Sequence, residues 1–186
     1  MKVLLISLVY VILLSFGYGA LSAAPWVPTR KKERDRLIAE LPLVEGKVMV
    51  ELGCGDANVL FAAADRMPGL RAIGYDVAIL PIVAAWLRKL FGGRKYRNIS
   101  IRIRDLFSQD LSQADIIFVF LLPKIYDRLG KKFGLELKDD CTVAVEAWNI
   151  PGIEPMRTVK EPGMLPLYFY EGRQFRTVPV SPTPKG

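Results

Sequence analysis

The sequence contains no histidine and only two cysteines, Cys54 and Cys141, among its 186 residues. Without histidine the chain has no imidazole base, no Ser-His or Cys-His nucleophilic pair and no histidine metal ligand. Two cysteines cannot form a disulfide framework or a four-thiolate zinc site, and we assign no metal site. Any chemistry must come from carboxylates, lysine, tyrosine, backbone groups or a reactive cofactor.

Charged residues are also absent from residues 3 to 24, an apolar segment. As a helix, such a segment would cross a hydrocarbon core of roughly 30 Å. A secretory signal peptide ending at "SAA" is the alternative, although Pro25 disfavours cleavage there. Lys2 alone precedes the segment, and a basic cluster follows it: Arg30, Lys31, Lys32, Arg34 and Arg36. By the positive-inside rule we expect an uncleaved, single-pass anchor over residues 1–24, with the following domain in the cytoplasm. In a eukaryote the membrane would be the mitochondrial inner membrane.

The rest of the chain predicts one α/β domain. Residues 25–41 form a proline joint and a polar helix, with Thr29 as the expected N-cap. Residues 42–180 alternate between strand and helix patterns, which indicates a doubly wound, Rossmann-like and mostly parallel sheet. Two β-rich runs around Glu171 and Gly172 predict a closing antiparallel hairpin. Residues 181–186 are expected to be a disordered tail. The expected strands are 47–52, 71–76, 99–105, 114–123 and 141–149, and the expected helices between them are 57–67, 78–91 and 124–137.

The stretch "ELGCGDA" (residues 51–57) places a glycine turn after the first strand, where a doubly wound sheet binds its ligand. A dinucleotide site would have a third glycine at position 58, but this residue is Asn58. Glu51 and Asp56 would repel a pyrophosphate and suit a cationic ligand. We therefore do not expect NAD to bind.

Two further acids end the next two predicted strands. Asp76 can accept both hydroxyls of a ribose, and Asp105 can accept from an adenine amino group. A ligand with a positive centre, an amino-acid end, a ribose and an adenine is S-adenosylmethionine. The predicted cofactor site comprises Glu51, Gly53, Gly55, Asp56, Ala57, Asp76, Val77, Asp105 and Leu106. The competing interpretation is that the strand-end acids are only solvated.

Together with "GYD", "RDLF" and "ADIIFVFLLP", the turn resembles the class I, seven-β-strand methyltransferases. "PWVPT", "FLLP" and "IPG" extend the resemblance to a membrane-anchored family of protein-lysine methyltransferases. Its mitochondrial members methylate lysines of the adenine nucleotide translocase and of the ATP synthase c subunit. The resemblance implies one N-terminal anchor and a lysine acceptor. Ala57 and Ala78 depart from it, since the family usually has Gly and Asn at these positions.

A class I site mainly aligns the acceptor for in-line attack and excludes water. A lysine must first lose its proton, which desolvation in an aromatic-lined pocket favours. We expect "LLP" (residues 121–123), and in particular Leu122 and Pro123, to form one wall of the acceptor pocket. Trp26, Tyr126 and Trp148 are candidates for other walls, although each aromatic also suits an ordinary core. No side chain identifies itself as a general base.

Residues 77 to 104 contain seven basic residues and no acid. Such a run is usually a solvated face, but in a tethered domain it also suits anionic headgroups. Without a known RNA-binding motif, nucleic acid is an unlikely partner. The sequence predicts a membrane-anchored S-adenosylmethionine-dependent methyltransferase acting on a lysine of a membrane protein. The alternatives are a lipid or small-molecule acceptor, or a degenerate module that binds the cofactor without catalysis.

Overall fold

The computed structural model describes residues 6–7 and 28–177. Within residues 28–177, four helices and seven strands follow one another in the order α1 (Lys31–Glu40), β1 (Val48–Leu52), α2 (Asn58–Arg66), β2 (Arg71–Asp76), α3 (Ile79–Gly92), β3 (Ile99–Ile103), β4 (Ile116–Val119), α4 (Tyr126–Glu136), β5 (Thr142–Glu146), β6 (Arg157–Val159) and β7 (Leu167–Glu171). Short 3₁₀ turns follow α3 and β3, precede α4 and end the described chain. The expected alternation of strands and helices is therefore present.

The strands form one sheet in the order β3-β2-β1-β4-β5-β7-β6. The first five strands are parallel to one another, and β7 runs antiparallel to both β5 and β6. From β1 the chain adds β2 and then β3 on one side, and β4 then pairs with β1 on its other side. The two halves diverge between β1 and β4, which is where doubly wound sheets bind their ligands.

Each face of the sheet carries its own apolar layer, because successive side chains of a strand point to opposite faces. Met49 packs with α1, α2 and α3 on one face, whereas Val50 and Leu52 pack with α4 on the other. Within α3, Ile82 and Ala85 face the sheet. Pro81 is tolerated in the first turn of α3, where its missing N–H would have no helical partner.

The C-terminal antiparallel pair is present, but its position differs from the prediction. No strand follows Glu171 in the described chain: residues Gly172–Thr177 form a 3₁₀ turn, and the partners of β7 are β5 and the unpredicted β6. The Gly172 amide donates to the Cys141 carbonyl at 2.8 Å, and Phe175 is buried against Phe133. These contacts fold the chain back over α4 and end the sheet pairing there.

Two other expectations at the N-terminal side have different outcomes. Thr29 does not cap α1, because the N-cap position is Arg30 and no side chain caps the helix. Instead, Glu33 in the first turn accepts from the Arg30 Nε at 2.9 Å and from the Leu165 amide at 3.1 Å.

The predicted anchor over residues 1–24 lies outside the described residues apart from residues 6–7. Within residues 6–7 and 28–177, no helix has the length and apolarity needed to cross a membrane.

Candidate functional site

The glycine turn connects β1 to α2 and is fixed to the end of the neighbouring strand β2. The amides of Gly53 and Cys54 both donate to the Tyr75 carbonyl, at 2.8 and 3.1 Å. The Gly55 amide donates to Oδ2 of Asp76 at 2.7 Å. The turn and the strand-end acid of β2 therefore form one hydrogen-bonded unit.

Gly53 has φ +77° and Gly55 has φ +50°, a region in which residues with a Cβ are disfavoured. A Cβ on Gly53 would also lie 2.5 Å from Cδ2 of Leu121, just after β4. From the sequence, we expect the ligand to approach the backbone closely at both glycines. For Gly53 the structure gives a second reason, which is packing of the turn against the chain that leaves β4.

Ala57 ends the turn in the left-handed conformation, with φ +56° and ψ +27°, and is fully buried. Left-handed backbone costs a residue with a Cβ about 1–2 kcal/mol, and glycine avoids this cost. This explains why glycine suits the position. Ala57 nevertheless makes the same turn, since its amide donates to the Cys54 carbonyl at 2.7 Å.

Glu51 is a buried acid at the end of β1, directly under the turn. The Leu60 amide in the first turn of α2 donates to its carboxylate, but Oε2 has no partner in the described structure. Burial raises the pKa of Glu51 well above its usual value, and the charges of Asp56 and Asp76 raise it further. A cationic group bound beside Glu51 would stabilise the ionised carboxylate and lower this raised pKa, so the site favours a cationic ligand.

Asp76 and Asp105 lie at neighbouring strand ends, as expected from the parallel register. Asp76 accepts from the Gly55 amide and, through Oδ1, from the Ala78 amide at 2.8 Å. A carboxylate has about four acceptor sites, so two remain for hydroxyl groups. Asp105 follows the end of β3 by two residues and is exposed, and its Oδ1 accepts from the Phe107 amide at 3.0 Å. The Arg104 amide donates to the Asp76 carbonyl at 2.9 Å, which places the two segments side by side.

Val77 is half-buried and Leu106 is buried beside these acids. The cleft over the turn is not lined by Val77, Leu106, Asp76 or Asp105. The predicted cofactor residues thus form two adjoining parts. Glu51, Gly53, Gly55 and Asp56 face the cleft, and Ala57 is buried at the end of the turn. Asp76, Val77, Asp105 and Leu106 continue outward along the ends of β2 and β3.

The cleft lies at the switch point between β1 and β4 and is partly open to solvent. Sequence reasoning did not assign six of its lining residues: Pro28, Thr29, Cys54, Asn58, Val59 and Phe120. Asn58 joins the segment before α1 to the turn, donating to the Thr29 carbonyl at 3.3 Å and accepting from Arg34 Nη1 at 2.8 Å. The "PWVPT" motif was the only sequence signal that this segment belongs to the site.

The candidate acceptor residues separate into surface and core positions. Leu122 is half-buried, Pro123 is exposed, and Trp148 stacks on the cleft residue Phe120 with ring centroids 6.4 Å apart. Tyr126 is fully buried and donates its hydroxyl to the Leu121 carbonyl at 3.0 Å, so it belongs to the core. Trp26 lies outside the described residues.

Neither thiol is suited to nucleophilic chemistry. Cys54 and Cys141 are buried, and burial raises the pKa of the Cys54 thiol well above its usual value and that of Cys141 to about 12. A protonated thiol is a poor nucleophile. The site therefore offers acidic side chains, backbone groups and aromatic walls, which suits a cofactor that brings its own reactive group.

A profile of the ANTKMT methyltransferase domain matches residues 51–157, more than half of the chain. This chain belongs to the ANTKMT methyltransferase family. A protein-lysine N-methyltransferase of Saccharolobus islandicus is 28% identical over 136 residues, covering 73% of this chain and 84% of the relative. The mouse adenine nucleotide translocase lysine N-methyltransferase is 28% identical over 138 residues, but these cover only 58% of its length and 74% of this chain.

The fold agrees with this assignment. An RNA methyltransferase from Salinibacter ruber, solved with S-adenosyl-L-homocysteine, superposes with a TM-score of 0.72 at 25% identity, over 86% of this chain and 98% of that one. A precorrin-6y C5,15-methyltransferase from Geobacter metallireducens has a TM-score of 0.58 at 18% identity, covering 80% of this chain and 90% of its own, and shows the fold alone. The protein is an S-adenosylmethionine-dependent methyltransferase of class I.

The residues of the cleft fit this cofactor. S-adenosylmethionine carries an ammonium and a sulfonium group, and the cleft offers the unpartnered Oε2 of Glu51 in a cluster with Asp56 and Asp76. Bound cationic groups would offset the charge that now raises the pKa of Glu51. A pyrophosphate in the same place would add negative charge to this cluster.

Proposed function

We propose that this methyltransferase methylates a lysine side chain of a membrane protein. The observation that supports the proposal most directly is the cleft itself, which is lined by Phe120 and by Glu51, whose Oε2 has no partner in the described structure. The relatives named as protein-lysine N-methyltransferases favour lysine as the acceptor. The translocase named for the mouse relative favours a membrane protein as the substrate.

We assign the two adjoining parts of the site to two ends of the cofactor. In this proposal Glu51 binds the ammonium of its methionine end, and the glycine turn carries the backbone that approaches it. Asp76 binds the ribose hydroxyls, and Val77, Asp105 and Leu106 surround the adenine. Asp56 adds negative charge beside the turn, and Ala57 holds the turn against the first residues of α2.

The acceptor side of the proposal uses Phe120 and the chain that follows it. The stacked rings of Phe120 and Trp148 suit the methylene stem of a lysine, with Leu122 and Pro123 at the mouth. When bound, S-adenosylmethionine supplies an electrophilic methyl group. The protein aligns the lysine nitrogen for in-line attack and removes water from it, and desolvation lowers the lysine pKa toward the neutral, nucleophilic amine.

We further propose that residues 1–24 tether the enzyme as a single-pass anchor with the domain on the cytoplasmic side. The support is the uncharged segment followed by a basic cluster. Intact-mass analysis of the protein in the membrane fraction is expected to return the full chain. A mature chain beginning near Pro25 would contradict the anchor.

The acceptor is tested by methyl transfer from labelled S-adenosylmethionine into membranes of a strain that lacks this protein. We expect label in a membrane protein, released on hydrolysis as methyl-lysine, and reduced transfer by the Asp76→Ala variant when S-adenosylmethionine is limiting. Label in extracted lipid would replace lysine with the lipid alternative. Label only in added RNA would contradict a protein acceptor altogether.

A further inference from the structure

Helix α3 is apolar on its outward face as well as on the face that packs against the sheet. The outward positions recur at helical spacing on one side of the helix, and the last two are the most exposed: Leu90 is 72% exposed and Phe91 is 85% exposed. This outer face of α3 consists of Leu80, Val83, Trp86, Leu87, Leu90 and Phe91. Soluble proteins rarely leave such a continuous apolar surface open, and it usually marks an interaction site.

The position of the helix explains how it stays folded with this face exposed. Its inner side packs through Ile82 and Ala85 in the core, and the Trp86 indole donates to the Ile101 carbonyl on the edge strand β3 at 3.0 Å. The Lys89 ammonium donates to the Ile99 carbonyl of the same strand. The helix therefore covers the free edge of the sheet, and its outer face is available for another partner.

The chain segment that carries this face is basic. Residues 77–104, which include all of α3 and β3, contain no acid, and Arg88, Arg94, Arg97, Arg102 and Arg104 are exposed. Lys95 of the same segment pairs with Asp65 of α2 at 2.8 Å. An apolar helical face with basic residues at its edges is the pattern of a helix that lies in the interface of an anionic membrane. A protein partner with an acidic rim would also match the charge. We favour a lipid surface because apolar residues of one helical face, with basic residues in the same segment, suit both the acyl boundary and the anionic headgroups.

We infer that the outer face of α3 lies in the headgroup region of an anionic bilayer and orients the domain on the membrane. This surface extends the proposed membrane association to a second contact, separate from residues 1–24. α3 starts just after Asp76, at the carboxyl end of β2, and Pro28 lines the cleft, which lies at the carboxyl end of β1. The start of α3 and the segment before α1 therefore lie at the same end of the strands. A membrane contact along α3 would place the strands parallel to the bilayer, with the cleft opening along its surface.

Trp86 provides a probe, because its ring lies on this face and its hydrogen bond to Ile101 holds it in place. The full chain, with Trp26→Phe and Trp148→Phe so that Trp86 is the remaining tryptophan, is reconstituted into vesicles of phosphatidylcholine and phosphatidylglycerol with brominated acyl chains. We expect the bromine atoms to quench Trp86 emission. The double substitution Leu90→Glu and Phe91→Glu is expected to abolish the quenching, whereas Leu135→Glu, at a position 81% exposed on α4 across the sheet, leaves it unchanged.

Quenching that persists in the Leu90→Glu and Phe91→Glu chain would overturn the inference, as would its absence in the parent chain. Crosslinking between copies in detergent, lost with the same substitutions, would assign the face to a second copy and also overturn it. The measurement involves no methyl transfer. Its failure is therefore distinct from failure of the proposed lysine acceptor.

Discussion

Asp76 accepts from two backbone amides, that of Gly55 in the turn and that of Ala78 before α3, and in the proposed function its remaining acceptor sites bind the cofactor. We expect Asp76→Ala to weaken S-adenosylmethionine binding by about 1–3 kcal/mol, since the ribose hydroxyls lose their partner. Calorimetry measures the change, with the exposed acid Asp140 replaced by alanine as the control. Unchanged affinity in a folded Asp76→Ala chain would move the ribose away from the end of β2.

Glu146, at the end of β5, is a fully buried acid that sequence reasoning did not single out. Neither carboxylate oxygen has a partner in the described structure, and its nearest charges come from α1. Burial and the charge of Glu33 raise its pKa from 4.5 to about 7, while Arg36 and Arg30 act in the opposite direction. Glu51 on β1 also lies within electrostatic range.

A raised pKa means that the folded chain keeps this proton at a pH where the unfolded chain has released it. The stabilising effect of the proton is complete below about pH 4.5 and is lost as the pH rises through about 7. We therefore expect the stability of Glu146→Gln relative to the parent to increase as the pH rises from about 4.5 through about 7. The difference should reach up to about 3 kcal/mol at alkaline pH. Denaturant unfolding at several pH values measures the difference.

The exposed acid Glu154 provides the control, and Glu154→Gln should show no such trend. A stability difference for Glu146→Gln that does not change with pH would mean that Glu146 titrates alike in the folded and unfolded chain. Some local partner, absent from the described contacts, would then satisfy the carboxylate.

At the scale of elements, the sequence predicted the strands and helices that local residue patterns determine. It did not predict the elements that depend on contacts between residues far apart in the chain. The expected strand over residues 71–76 is β2 itself, because an apolar core flanked by polar ends fixes it locally. β6 has only three residues, none of them buried, and forms by pairing with β7. The expected hairpin at Glu171 is absent because Phe175 packs on Phe133 of α4 and Gly172 binds the chain between α4 and β5. No local sequence pattern reports these contacts.

Gly172 gives a direct test of this backward fold. A Cβ at Gly172 would overlap the Lys138 carbonyl oxygen, and a backbone atom cannot move aside as a side-chain end can. We expect Gly172→Ala to destabilise the protein by roughly 1–3 kcal/mol, the usual cost of overpacking. Thermal and denaturant unfolding measure it.

The matched substitution is Gly130→Ala in the interior of α4. Its added Cβ would meet only Cγ2 of Ile150, at an ordinary 3.8 Å. The gain in helix propensity should then stabilise the protein by up to about 1 kcal/mol. The same change of residue is thus expected to have opposite signs at the two positions. Equal effects at both would contradict the packing described around Gly172.

At the scale of the whole molecule, the acids of the site were predictable, whereas the walls were not. Glu51, Asp76 and Asp105 follow strand-like runs, so their common edge can be inferred from parallel strands alone. Phe120 reaches the cleft because β4 returns to the side of β1, and Pro28 and Thr29 reach it because Asn58 binds the segment before α1. These contacts join parts of the chain that are far apart in sequence.

The segment before α1 connects the predicted anchor to the cleft, so the tether should affect which acceptors are reached more than how the cofactor binds. The residues that we propose to bind the cofactor all lie beyond residue 50, and the cleft is lined from Pro28 onward. We expect removal of residues 1–24 to leave S-adenosylmethionine affinity unchanged in calorimetry. Methylation of the native membrane acceptor should fall sharply, because the acceptor and the enzyme no longer share one surface.

Replacing residues 1–24 with an unrelated single-pass helix of the same orientation separates tethering from sequence-specific contacts. If the tether acts by confining the enzyme to the membrane, this chimera should recover methylation, measured as labelled methyl-lysine in the membrane fraction. A short lysine peptide in solution should be methylated equally by the full, truncated and chimeric chains, because it needs no shared surface. Equal labelling of the membrane acceptor by the soluble truncation would show instead that the catalytic domain alone selects the substrate.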